Sequence, residues 1–238
     1  MTKTTALARD LWNGLLDLVY PAHCLVCGTA GDDYLCANCI EQIDVIGEQH
    51  CIRCAMPCEA PICNDCRNQL YEFESAASAG VYEGVLRKAL HALKYDRHLV
   101  MVEPLADLMT RCFPRRQFSG KVDVVVPIPI HRCRMVDRGF NQSLELSRRM
   151  CERLSLPLEP QVLYKTRRTR HQADLSQDQR VANLRCAFGV SNPNIVAGKQ
   201  VLLVDDVFTT GSTLNEAALA LKNAGAQSVH VYTLSRSV

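Results

Sequence analysis

Two adjacent carboxylates and a run of hydroxyl side chains carry the clearest chemistry in this chain. Val201-Leu202-Leu203-Val204 reads as a buried parallel strand. Asp205 and Asp206 stand at its carboxyl end, and Val207-Phe208-Thr209-Thr210-Gly211-Ser212-Thr213 follows. Leu214 to Lys222 reads as a helix. Ligands of open α/β sheets bind beyond the carboxyl ends of the strands. A loop that opens a helix offers unpaired N–H groups and a positive dipole end, which suit a phosphate. Gly211 supplies the tight turn, while Thr209, Thr210, Ser212 and Thr213 add hydroxyl donors. The acids would repel a phosphate placed on them. They suit sugar hydroxyls or a hydrated Mg²⁺.

This stretch resembles the signature of type I phosphoribosyltransferases, which bind 5-phosphoribosyl-1-pyrophosphate (PRPP). The resemblance implies that Asp205 and Asp206 hold the ribose hydroxyls, with Mg²⁺ accompanying PRPP. It also implies that Val207 and Thr209 to Thr213 form the 5-phosphate loop. Phe208 departs from the family's usual aliphatic residue. A second basic segment, His131 to Gln142, follows the strand-like Val122 to Pro129. It reads as a turn opening a helix over Ser143 to Leu154, and its Arg132, Arg134 and Arg138 would complement pyrophosphate. A solvated basic loop is the alternative. A third, Lys165 to Asn183, is long and polar, as mobile lids over charged substrates often are. Arg168, Arg170, Gln172 and Arg180 are its lid candidates, against an exposed connection or a nucleic-acid contact.

The other reactive residues are thiols. Nine of the 13 cysteines fall between residues 24 and 66. Cys24, Cys27, Cys36 and Cys39 are spaced C-x2-C-x8-C-x2-C, and Cys51, Cys54, Cys63 and Cys66 repeat that spacing 27 residues later. His23 and His50 obey the same offset, so the unit is duplicated. Paired knuckles of this kind hold tetrahedral Zn²⁺. Two Cys₄ sets leave no open coordination position, so both sites are structural. Metal binding would supply on the order of 10 kcal/mol of folding free energy per unit. The competing disulfide scaffold needs an oxidising compartment and an export signal, and residues 1–20 do not make a convincing one. Pairing within each repeat is the default, with cross-bracing open. His23 and His50 read as packed beside the clusters, and Cys58 as a spare.

The elements that must position these groups form an α/β protein, a mainly parallel sheet with helices on both faces, preceded by a small double zinc-ribbon domain. Strands are expected near 122–128, 186–190, 201–204 and 229–234, alternating with helices. One helix carries Leu86, Leu90 and Leu93, and another covers about Val102 to Cys112. Ser75 to Gly80 is small and polar and marks the boundary, giving domains 1–74 and 75–238. Leu7, Leu11, Leu15 and Leu18 suggest a short docking helix.

Net charge is +2, but residues 1–74 hold four Lys/Arg against eleven Asp/Glu, and residues 75–238 hold 23 against 14. The second part attracts polyphosphate or nucleic acid, and the first cannot be a basic clamp. No run of about 18 apolar residues indicates a membrane span. The expected location is cytoplasmic, with a peripheral position at the inner face of the membrane left open.

A duplicated Cys₄ unit, Tyr82-Glu83-Gly84, His91-Ala92-Leu93-Lys94-Tyr95, Pro127-Ile128-Pro129, Arg138-Gly139-Phe140-Asn141-Gln142 and the Thr/Gly/Ser loop together resemble the ComF family. That resemblance implies a double zinc ribbon on a phosphoribosyltransferase-like domain. It also implies a part in natural transformation, handling internalised single-stranded DNA beside a helicase or another DNA-uptake protein. An active phosphoribosyltransferase of nucleobase or nucleotide metabolism is the alternative.

Overall fold

The computed structural model describes residues 23–31, 33–118, 120–166 and 187–238. The apolar stripe at 7–18 and the four lid candidates Arg168, Arg170, Gln172 and Arg180 lie outside the described residues.

The duplicated unit is duplicated in space. Short helices α1 (Ala37–Glu41) and α2 (Asn64–Asn68) occupy equivalent places. The knuckle bonds repeat as well: Cys24 N–H donates to the Thr29 carbonyl at 2.9 Å, and Cys51 N–H to Met56 at 2.8 Å. Each first knuckle turns through the left-handed region, at Gly28 (φ 76°) and at Ala55 (φ 58°). Only the first repeat has the residue that adopts this conformation freely.

A four-stranded sheet follows, all parallel, in the order β1-β6-β5-β2. Its strands are β1 (Ser75–Val81), β2 (Val124–Pro127), β5 (Gln200–Phe208) and β6 (Ser228–Arg236). Helices α3 (Gly84–Lys94), α4 (Val102–Arg111) and α7 (Gln142–Leu154) supply Leu90, Leu93, Leu105, Met109, Leu146 and Met150 to one face of the sheet. Helix α8 (Ser212–Asn223) covers the other face with Leu214, Ala217, Ala218 and Leu221. Helices therefore lie on both faces, as read from the sequence.

Three expectations need correction. Ser75 to Gly80, read only as a small, polar segment with no strand in it, is β1, almost wholly buried and paired with β6. Its small residues admit close approach, since a Cβ on Gly80 would lie 2.9 Å from the Leu86 side chain. Within the strand expected at 186–190, the described residues do not join the main sheet. Phe188–Val190 (β4) pairs antiparallel with Leu163–Lys165 (β3), a two-stranded flap beside the sheet. The basic stretch after β2 is a helix rather than a turn, α6 (Arg132–Arg138), capped by the His131 side chain and stopped at Gly139 (φ 85°). A further short helix, α5 (Arg115–Phe118), lies between α4 and β2.

The two Cys₄ units straddle the sheet edge at β1. Cys24, Leu35, Cys39 and Ile43 join the core under α3 and α4. Cys51, Cys54, Cys66 and Phe73 join the opposite core, with α8. The linker between them caps the edge strand: Ile46 N–H donates to the Ala79 carbonyl and Val81 N–H to Asp44.

Candidate functional site

The Arg138-Gly139-Phe140-Asn141-Gln142 turn organises one wall of a cleft. Gly139 ends α6, and Phe140 is buried. The Asn141 amide spans two elements: Nδ2 donates to the Ile128 carbonyl at 3.0 Å and Oδ1 accepts from Ser143 N–H at 3.1 Å. That cap pins the start of α7 to the end of β2. Gln142 Oε1 accepts from Arg138, whose guanidinium stands 5.8 Å from the Tyr95 ring centroid.

The acidic pair forms the floor. Ser143 Oγ donates to Asp205 Oδ1 at 2.7 Å, and Asp206 N–H donates to the same oxygen at 2.9 Å. Lys94, the last residue of α3, reaches Asp206 Oδ2 at 2.6 Å. These two side chains are only 14% and 7% exposed, so the pair is well shielded from water. Burial, and next the neighbouring Asp206 charge, push the Asp205 carboxyl up to about 7. Lys165, on β3, is held below its ordinary value by burial and then by Arg134.

Asp205, Asp206, Arg134, Arg138, Thr213, Lys94, Lys165, His131 and Gln142 line one cleft of about 170 Å³. Arg132 is not among its lining residues, because α6 turns it away. The rest of the Thr/Gly/Ser loop runs beside the cleft. Thr209 is exposed, Val207 is half-buried against the core, and Gly211 (φ 79°) is the N-cap of α8. Thr210 and Ser212 line a second crevice of about 190 Å³ with Gln69, Leu70 and Tyr71. The N–H groups of Thr209, Thr210 and Gly211 donate to nothing among the described residues. They are free to meet an anion.

Lys94, Ser143 and Lys165 were missed as site residues. Lys94 stands in the His91-Ala92-Leu93-Lys94-Tyr95 motif and had a signal. Ser143 and Lys165 have none, since only the fold carries them to the cleft.

The thiols settle into two sets, each within one repeat. In each, the four Sγ atoms lie within 4.8 Å of one another. Cys24–Cys39, Cys27–Cys36 and Cys54–Cys63 are each separated by 3.7 Å. A tetrahedron with Zn–S near 2.3 Å has an edge of about 3.8 Å, so the donor set fits zinc. Thr29, first through its side chain, draws the Cys27 thiol down to about 6. Cys51 falls to about 7: burial opposes the shift, but N–H groups of Cys63, Arg53 and Cys54 outweigh it. Both sets thus contain a thiol biased toward thiolate, the form that ligates metal. Cys58 donates to the Ala60 carbonyl outside the set. His50 engages Gly47 and Gln117 and is no ligand.

No helix among the described residues is long and apolar enough to cross a membrane.

The phosphoribosyl transferase domain model matches residues 95–237, and the double zinc ribbon domain model matches residues 15–67. Competence protein F of Haemophilus influenzae is 34% identical over 48% of this chain and 51% of its own length. The match thus spans about half of that relative. DNA utilization protein YhgH of Escherichia coli K12 is 34% identical over 66% of this chain and 70% of its own. Competence protein ComFC of Bacillus subtilis is 29% identical over 67% and 63%. Among solved structures, the glutamine PRPP amidotransferase of B. subtilis, in complex with ADP and GMP, superposes with a TM-score of 0.37. It is 24% identical, over 56% of this chain and 26% of its own, and a likeness so loose carries no weight here. On its sequence matches, the chain belongs to the phosphoribosyltransferase family, in the ComF arrangement that sets a double zinc ribbon ahead of the phosphoribosyl transferase domain.

Proposed function

We propose that the cleft binds Mg²⁺-PRPP, and that the protein serves the handling of incoming single-stranded DNA in natural transformation. The names of the relatives support the second part: two are competence proteins and one a DNA utilization protein. The single observation that carries the first part is the joining of the acidic pair to the Thr/Gly/Ser loop at the end of β5, facing Arg134, Arg138 and Lys165 across one cleft. Asp205 and Asp206 take the ribose hydroxyls. Thr209 to Thr213 and Val207 take the 5-phosphate through backbone N–H groups and hydroxyls. Arg134, Arg138 and Lys165 meet pyrophosphate as cations. Asp205 keeps Oδ2 without a hydrogen-bond partner among the described residues, a hard oxygen suited to Mg²⁺ or its waters.

Bound Mg²⁺ supplies charge neutralisation at pyrophosphate. The chain's own residues do the rest by orientation and fixed charge. Should an acceptor attack, the C1–O bond would break with its electron pair leaving on pyrophosphate, beside Arg134, Arg138 and Lys165. Titration calorimetry of zinc-loaded protein with Mg²⁺-PRPP tests the reading. Binding that disappears in Asp205→Asn/Asp206→Asn supports it, and absence of binding by the unaltered protein refutes it.

The rim favours a nucleic-acid contact as well. Tyr95 and Tyr164 are exposed, and Tyr95 lies under Arg138, a pairing of ring and cation that suits single-stranded nucleic acid. Oligonucleotide binding that weakens steeply with salt, and weakens further in Tyr95→Ala, supports this role; salt-insensitive binding refutes it.

A further inference from the structure

The end of β6 carries a charged group that the cleft does not use. Arg236 is 7% exposed, yet no carboxylate pairs with it among the described residues. Its guanidinium binds carbonyl oxygens of separate elements. Nε donates to Cys54 at 2.8 Å, inside the second Cys₄ unit. One terminal nitrogen donates to Phe208 at 2.9 Å and to Thr209 at 2.7 Å, where the phosphate loop begins, and also to Ser237. The guanidinium carbon stands 4.7 Å from the Phe208 ring centroid.

The peptide planes give this bracket a consequence. Across a trans peptide, C=O and the next N–H point in opposite directions, and no cis bond occurs among the described residues. With the carbonyls of Phe208 and Thr209 turned toward Arg236, the N–H groups of Thr209 and Thr210 must turn away from it. These are the amides left free for an anion.

A second tie comes from the segment leaving the same Cys₄ unit. Tyr71 and Phe73 stack at 4.6 Å and present to the Phe208 ring edge-on at 6.2 and 6.1 Å. Glu72 N–H donates to Asn215 Oδ1 on α8 at 2.7 Å. Gly211 closes against both rings: a Cβ there would lie 2.7 Å from Phe208 Cε2 and 3.1 Å from Tyr71 Cε1. Among the described residues, the first Cys₄ unit makes no counterpart of these ties. The residue equivalent to Cys54 is Cys27, which is exposed.

We infer that Arg236 is a positioning residue for the phosphate loop, and that through it the folded state of the second Cys₄ unit sets the loop's grip. The inference rests on reading that loop as the 5-phosphate site. Coupling of this kind is reciprocal: a ligand on the loop must also steady the second metal unit.

The test uses the zinc-loaded full chain and Arg236→Lys, which keeps the charge but loses the planar fork that spans two elements. Zinc content of two per chain and an intact melting transition establish that the variant is folded. Amide hydrogen exchange at Asn215 and Ser237, whose N–H groups donate to the Gly211 and Phe208 carbonyls of the loop, is expected to accelerate, and the Kd for Mg²⁺-PRPP to rise about tenfold. In the unaltered protein, but not in the variant, ribose 5-phosphate should slow chelator extraction of one of the two zinc ions. Unchanged exchange at these amides in a folded variant overturns the bracket. If exchange accelerates in the variant while the unaltered protein binds no Mg²⁺-PRPP, the phosphoribosyl reading falls and the bracket stands. If Arg236→Lys fails to load zinc, Asn215→Ala cuts the second tie alone and must accelerate exchange at the same amides. No change there also overturns the inference.

Discussion

The two Cys₄ units share a sequence spacing, a fold and a set of knuckle hydrogen bonds, but they lean on different things. The first packs under α3, the helix whose last residue, Lys94, reaches Asp206. The second packs under α8 and, through Cys54 and Arg236, reaches the start of the Thr/Gly/Ser loop. One unit thus props the acidic-pair end of the cleft and the other the Thr/Gly/Ser loop. Duplication copied the metal cage, whereas the surroundings of each copy were set by where it meets the sheet.

The largest expected effect would break that comparison most directly. Cys66→Ser in the second unit is expected to release one zinc, forfeiting on the order of 10 kcal/mol of metal-linked folding free energy, and to abolish Mg²⁺-PRPP binding. Cys36→Ser in the first unit should also release one zinc but leave amide protection intact at Asn215 and Ser237, which donate to the loop's carbonyls. Zinc stoichiometry and amide exchange read both, and equal loss of that protection in the two variants would erase the distinction. Next, Lys94→Met strands Asp206 as a buried unpaired carboxylate, with an expected cost of about 3–5 kcal/mol in chemical denaturation. Lys94→Met/Asp206→Leu should recover much of it, and a single variant as stable as the parent would show that α3 does not support the pair.

The pH dependence sharpens the acidic-pair end. The Asp205 carboxyl is raised to about 7 when folded, above the ordinary carboxylate value. The folded state therefore holds its proton more tightly than the unfolded chain. The stability this contributes is full below about pH 4 and is lost as pH rises through about 7. Denaturation midpoints between pH 5 and 8 should fall less steeply in Asp205→Asn than in the parent, and identical slopes would reject the shift. The smallest effect compares the knuckles themselves. Gly28→Ala forces a Cβ into the left-handed region and should cost about 1 kcal/mol. Ala55→Gly relieves that strain but frees the unfolded chain, so its net change should stay within about 0.5 kcal/mol. Thermal denaturation of the zinc-loaded proteins reads the pair.

Local signals told much of the story. The 27-residue offset led straight to two metal sets, because knuckle ligands are neighbours in sequence. The β5–loop–α8 unit was legible for the same reason. β1 was misread because Ser75-Ala76-Ala77-Ser78-Ala79-Gly80 lacks the bulky β-branched residues that announce a strand. Its burial comes largely from β6 and the linker, both distant in sequence, with Leu86 of the next helix closing over Gly80. Helix α6 was taken for a turn because none of its residues is buried, so no apolar stripe marks it. Ser143, Lys165 and Arg236 became visible only when the sheet brought distant segments together.

The strand order has a consequence for how the molecule is made. β6 lies between β1 and β5, and its partners in β1 precede it by 155 residues. While a ribosome is still producing the chain, β1 and β5 wait as facing edges with a gap between them. Each metal knot can tie itself as soon as its four thiols emerge, but the bracket at Arg236 closes only after the final strand slots in. A nascent or truncated chain ending before that strand would keep its zinc and expose two bare edges, an invitation to aggregate.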